Sequence, residues 1–205
     1  MDHRDVISGH SLAWFVYLFA LTDCSAFKVG FSNNPLQRIH TFSPRYFERF
    51  DLHQSLVLRL DSIDAARALE AELKQVLAQA CIDCPSWVPR EAGGFTEWFG
   101  APQFGLAEER LRSIDALDGN LRLATAADFI RNELIHSSAA FEQWACRQAQ
   151  LVCDAFAYAS GTRQPFEALR PLRDWLDACR YLGIPLFADD PHAREFVMQT
   201  SRLPA

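Results

Sequence analysis

From Trp14 to Phe42 the chain switches sharply between apolar and polar stretches. Trp14 to Leu21 is an unbroken apolar and aromatic run, Thr22 to Ala26 is a mostly polar connector, and Phe27-Lys28-Val29-Gly30-Phe31 is apolar again apart from its lysine. Two such runs around a connector of more than two residues predict a β-hairpin over 13–21 and 26–32. Gly30 stands in the second run where a side chain would block a close backbone approach. Asn34-Pro35 then predicts a short helix to about Phe42, with Asn as cap and Pro at the first helical position, where its missing N–H costs nothing.

Leu52 to Leu60 alternates and predicts a third strand. Ser62 or Asp64 can cap a long helix from about 64 to 80, on which Leu69, Leu73, Val76 and Leu77 form an apolar stripe. On that helix Arg67, Glu70 and Lys74 share one face. Residues 81–96 are broken by Pro85, Pro89 and Gly93-Gly94 and predict irregular chain, before a short terminal segment, Phe95–Phe99, that is expected to be extended. Beyond Gly100-Ala101-Pro102 the pattern is helical, with helices predicted near 106–117, 126–137, 138–160, 165–182 and 191–200, and stops at Gly119-Asn120, Gly161 and Gly183. The expected fold is therefore α+β over 1–100, with a three-stranded, mainly antiparallel sheet flanked by helices. An all-α domain over 101–205 follows, a bundle that packs on the first domain, dimerises or binds a protein partner. A DNA-reading helix-turn-helix fits 101–205 less well, because Asp174 and Asp177 dilute Arg163, Arg170, Arg173 and Arg180.

Composition changes this picture in three ways. With 49% hydrophobic and 22% charged residues the chain is globular. No run reaches the ~18 apolar residues that span a membrane, and the negative lead before Leu12 argues against export, so the expected location is the cytoplasm. The net charge is −6, with 9 Lys+Arg against 12 Asp+Glu in residues 1–100 and 11 against 14 in 101–205. Neither half is basic, which counts against tight, non-specific binding to duplex DNA and leaves room for a local basic groove. Lys28 and Lys74 are the only lysines, so phosphate binding would fall mainly to arginine. Of the six cysteines, Cys81 and Cys84 form a lone CxxC without the second pair or nearby histidines that a structural zinc site needs.

Candidate chemistry comes from the order of the motifs. Phe15-Val16-Tyr17, Phe27-Lys28-Val29-Gly30, Arg38 eight residues later, Glu70 on the long helix and Glu97-Trp98-Phe99 follow one another at fixed places. Over roughly residues 13–100 this set resembles the GIY-YIG nuclease domain. Phe15-Val16-Tyr17 stands in the place of the first tripeptide and Lys28-Val29-Gly30 in that of the second. The likeness is to a bacterial and phage branch whose second motif reads Tyr-Lys-Ile-Gly and which carries a terminal Glu-Trp-Phe.

The resemblance implies a divalent-metal-dependent DNA endonuclease with Tyr17, Lys28, Arg38 and Glu70 as catalytic residues. Glu70 would be the one carboxylate that binds Mg²⁺ or Mn²⁺. Arg38 would hold the scissile phosphate. Tyr17 would face the attacking water as general base or orienting group, and Arg38, Lys28 or the metal would have to lower its pKa from about 10 for base work. Lys28 fills the slot of the family's second tyrosine, where an ammonium can hold a phosphate but cannot repeat a phenol's role. Lys28, Arg38, His40 and Gly30 would contact substrate, His40 most weakly, and Glu97 has no assigned role. Tyr17, Arg38 and Glu70 are expected to line one cleft within ~10 Å. Taken one at a time, the same residues read as a core tyrosine, a surface arginine, a Glu70–Lys74 pair and an aromatic plug. The competing function is a nucleic-acid-binding or protein-interaction module on the same fold without the reaction.

Overall fold

A computed structural model describes residues 13–117, 122–158, 164–188 and 190–203. Residues 1–12, the stops at Gly119-Asn120 and Gly161, and Arg163 lie outside them. The chain is α+β, built on one antiparallel sheet. Strands β1 (Trp14–Ala20) and β2 (Ala26–Ser32) form the hairpin, in a register that sets Tyr17 opposite Gly30 and Phe19 opposite Lys28. Its turn is tied by Asp23, whose Oδ1 accepts from the backbone N–H and hydroxyl of Ser25 at 2.9 and 2.6 Å. Strand β3 (Leu56–Leu60) pairs with the other edge of β1.

The sheet has five strands, in the order β4-β2-β1-β3-β5, where three were expected. Strand β4 (Trp98–Gly100) adds to β2, and β5 (Arg122–Thr125) adds to β3. The second half is thus not all-α: it returns a strand to the sheet. Both additions are short edge strands of three and four residues, too short to show a two-residue period, and their pairing is decided by the strand they meet.

Helices cover both faces of the sheet, so β1 carries an apolar run instead of an alternating one. Side chains of opposite parity enter different cores. Tyr17, Phe19, Val57 and Trp98 face one core, with Ile39 and Phe42 of α1 (Pro35–Phe42), Tyr46 and Phe47 of α2 (Tyr46–Arg49) and Ala127, Ile130 and Leu134 of α5 (Ala126–His136). Val16, Leu18, Phe27, Val29 and Leu58 face the other. There they meet Ala66, Leu69 and Leu73 of α3 (Ile63–Val76), and Phe104, Ala107 and Leu111 of α4 (Phe104–Leu117). Two caps start helices where the sequence places them: Asn34 accepts from the Gln37 N–H at 2.9 Å and Ser62 from the Ala65 N–H at 3.1 Å; Thr125, which no sequence signal singled out, caps α5 by accepting from the Asp128 N–H at 3.0 Å.

A third core lies among α6 (Ser138–Tyr158), α7 (Gln164–Tyr181) and α8 (Pro191–Ser201), around Ala149, Leu172, Leu176 and Val197. Helix α7 also docks on the sheet unit, since Ala178 and Cys179 enter the Tyr17 core. Arg45, just before α2, pairs with Asp174 at 2.7 Å and Asp177 at 3.0 Å. No helix among the described residues is long and apolar enough to cross a membrane.

Candidate active site

Strand β4 pairs with only Ala26, Phe27 and Lys28 of β2, and Val29 donates to the Glu97 carbonyl at 3.0 Å. Past that point the outer edge of β2 has no strand partner among the described residues. Helix α1 covers one face of the sheet here and α3 the other, and their polar side chains meet around this edge.

Tyr17 comes from the face under α1. It is 1% exposed, with its ring stacked on Phe19 at a centroid distance of 4.2 Å. Its phenol oxygen accepts from Arg38 Nε at 3.2 Å. The ring lies across Gly30: a Cβ there would stand 2.2 Å from the phenol oxygen, so only glycine lets Tyr17 take this place. Burial pushes the phenol up to about 12, against the charge and hydrogen bond of Arg38, which pull it down. The expected lowering of this pKa is therefore not achieved by the protein's own groups.

Arg38 projects from the first turns of α1 and is fixed on several sides. Besides Tyr17, it gives NH1 to the Ala92 carbonyl at 2.5 Å, and its guanidinium stands over the Phe42 ring at 4.5 Å. Among the described residues no hydrogen bond is made by NH2, which is turned to the centre of the site.

Lys28 is fully buried. Its ammonium donates to Glu97 Oε2 at 2.6 Å and to the Val29 carbonyl at 2.8 Å. Burial lowers its pKa to about 8, against Glu97, which holds it up. Burial works to raise the Glu97 carboxyl, but the Lys28 and Lys74 contacts outweigh it and leave the group below the ordinary range. The pair is thus ionised at neutral pH, and Lys28 has no face open to a ligand unless Glu97 moves.

Glu70 reaches the same edge from α3. Lys74 Nζ stands 3.8 Å from Glu70 Oε2 and 3.3 Å from Glu97 Oε1, so a chain of alternating charge runs Lys28, Glu97, Lys74, Glu70. The Glu70 side chain is 15% exposed, and among the described residues no hydrogen bond reaches its carboxylate. Burial holds its pKa above the ordinary range, and the charges of Lys74, Glu97, Lys28 and Arg38 all act on it. A partly buried carboxylate with spare lone pairs, set among groups that favour phosphate, fits a magnesium-like cation that completes its shell with waters and a phosphate oxygen. Among the described residues no three His, Cys, Asp or Glu side chains converge on a common metal position.

Gly94 marks the centre. Its φ is +69°, and a Cβ on it would stand 2.7 Å from Glu97 Oε2, 3.0 Å from Arg38 NH2 and 3.1 Å from Lys28 Nζ. Arg38, Lys28 and Glu97 therefore surround one point that only a glycine leaves open. From sequence Gly94 reads as a breaker, and only the doubled glycine three residues before Glu97 hints at more. Lys74 reads as the ordinary partner of Glu70, and nothing in the sequence indicates that it also bridges to Glu97.

The structure brings together Tyr17, Lys28, Arg38 and Gly30 and joins Glu70 to them through Lys74 and Glu97. His40 is not among them. It lies two residues beyond Arg38 on α1 and lines a separate cavity of about 860 Å³, with Tyr46, Phe141, Trp144 and Trp175. Cys81 and Cys84 are free thiols. The Glu97-Trp98-Phe99 segment does plug the sheet, with Trp98 and Phe99 both buried. No protein-family model, curated protein or solved structure matches this chain.

Proposed function

We propose that this protein is a divalent-metal-dependent DNA endonuclease that hydrolyses phosphodiester bonds at the edge of β2. The observation that carries the reading is the convergence of Arg38 and Lys28 with Glu97 on one open point, with Tyr17 hydrogen-bonded to Arg38 and Glu70 reached from Glu97 through Lys74. Phosphodiester hydrolysis needs an oriented water, charge against the developing negative oxygens and a place for the proton.

Arg38 NH2 takes a non-bridging oxygen of the phosphate, while Nε and NH1 hold the guanidinium in place. Tyr17, kept as a neutral phenol by burial, accepts from Arg38 and orients the attacking water by its own O–H. Lys28 and Glu97 keep the floor of the site in position as an ion pair. Glu70 would hold Mg²⁺ or Mn²⁺, which when bound would supply Lewis-acid charge at the phosphate and acidify a water.

A second reading is favoured by a specific observation. Burial holds Tyr17 near 12 and occupies Lys28 with Glu97, so neither of these two is a ready base at neutral pH. A nucleic-acid-binding or protein-interaction module would need none.

A mutant series at one salt concentration separates the two. On the nuclease reading, Tyr17→Phe keeps DNA binding and loses cleavage. Arg38→Ala loses on the order of 3 kcal/mol of transition-state stabilisation, about a hundredfold in rate, and weakens binding modestly. If each variant binds as wild type does and none changes in cleavage, the reaction is not carried by these residues.

A further inference from the structure

Lys74 occupies a place that the proposed reaction leaves unexplained. It sits at the end of α3, a turn after Glu70, and its ammonium is shared between two carboxylates. Its hydrogen bond goes to Glu97 Oε1 at 3.3 Å, while Glu70 at 3.8 Å is held by charge alone. Glu97 is in turn anchored at its other oxygen by Lys28. Lys74 can therefore leave Glu70 without losing its hydrogen bond.

The sign of the site makes this matter. Lys28, Arg38 and Lys74 face Glu70 and Glu97, and the charges of the other four all act on Glu70. Three cations against two carboxylates leave one net positive charge. A divalent cation that approached Glu70 in the free protein would meet repulsion from all three. A phosphodiester brought in on Arg38 cancels the excess and gives Lys74 a second anion to turn to.

Resting on the nuclease reading, we propose that Lys74 is a resident counterion of Glu70 that makes divalent-cation binding depend on a bound phosphodiester. It is a positioning residue: substrate arrives first, Lys74 moves from Glu70, and the metal site opens. The free protein then holds little metal and the complex holds it tightly.

The test is Mn²⁺ binding followed by electron paramagnetic resonance of the free ion. It is run on the full chain with and without a short oligonucleotide, single-stranded and duplex, with the ion bound by the oligonucleotide alone subtracted. Wild type should bind Mn²⁺ at least tenfold more tightly when DNA is present. Lys74→Gln should bind Mn²⁺ without DNA at least tenfold more tightly than wild type and lose most of the dependence, whereas Lys74→Arg should keep it. Lys74 is partly exposed in the last turn of α3, and circular dichroism checks that its variants fold. A Lys74→Gln protein within twofold of wild type in the absence of DNA overturns the proposal, even if Glu70→Gln abolishes Mn²⁺ binding and cleavage. If wild type and Glu70→Gln hold the same Mn²⁺ with and without DNA, the nuclease reading fails along with it.

Discussion

At the scale of the residue, the site is governed by burial. Tyr17 and Lys28 were legible as candidates because their motifs are ordered, but their states were not, since desolvation depends on what covers them. Two titrations follow from that covering. The folded-state pKa of Lys28 is depressed from 10.5 to about 8, so the stability linked to it is present above the unfolded value and lost as pH falls towards about 8. Tyr17 has its pKa raised from 10.0 to about 12, so its contribution is present below about 10 and lost as pH rises towards about 12. Urea midpoints should thus carry a rise between about pH 8 and 10 that is absent in Lys28→Met. A decline above about pH 10 should be absent in Tyr17→Phe. Gly30 gives a sharper test of packing. Gly30→Ala drives a methyl into the Tyr17 phenol and is expected to cost about 1–3 kcal/mol in urea unfolding, as overpacking does. It should also abolish cleavage by pushing Tyr17 off Arg38.

At the scale of the element, the hairpin, the capped helices α1 and α3, and the helices beyond 100 were readable because each carries its own local signal: an apolar run, Asn34-Pro35, Ser62, or a three-and-four spacing. β5 was not, since a segment such as Arg122-Leu123-Ala124-Thr125 becomes a strand only by meeting the open edge of β3. The acidic residues of α7 were misleading in a similar way. From sequence Asp174 and Asp177 weaken a DNA-reading surface, whereas in the fold both bind Arg45 and dock α7 beside α2. Asp174 is the more buried of the two, at 11% side-chain exposure. Arg45→Ala leaves its carboxylate without its cation and is expected to cost about 1–3 kcal/mol, the penalty for stranding a buried polar group. Hydrogen exchange should show the loss in α7 before the sheet. Equal protection of both would mean that Arg45 does not fasten the helix.

At the scale of the whole molecule, an acidic chain of net charge −6 carries a site with a local positive excess. On the nuclease reading, such a protein gains little from long-range attraction to DNA, and DNA binding would depend on the few cations at the edge of β2. The sheet also ties the two halves together. Helix α4 supplies Phe104, Ala107 and Leu111 to one core, and β5 covers the edge of β3. A fragment ending at residue 100 loses both and should be less soluble or less stable than the full chain; a stable, monomeric and equally active 1–100 fragment would contradict this. The central claim is metal-dependent cleavage through Glu70. Its most direct measurement is incubation of the purified full chain with single-stranded and duplex DNA in Mg²⁺, Mn²⁺ or EDTA, beside Glu70→Ala. The account predicts cleavage with metal, none with EDTA, and none from Glu70→Ala, which still binds DNA. Wild-type protein that binds DNA without metal-dependent cleavage, and that Glu70→Ala matches in every respect, would contradict it.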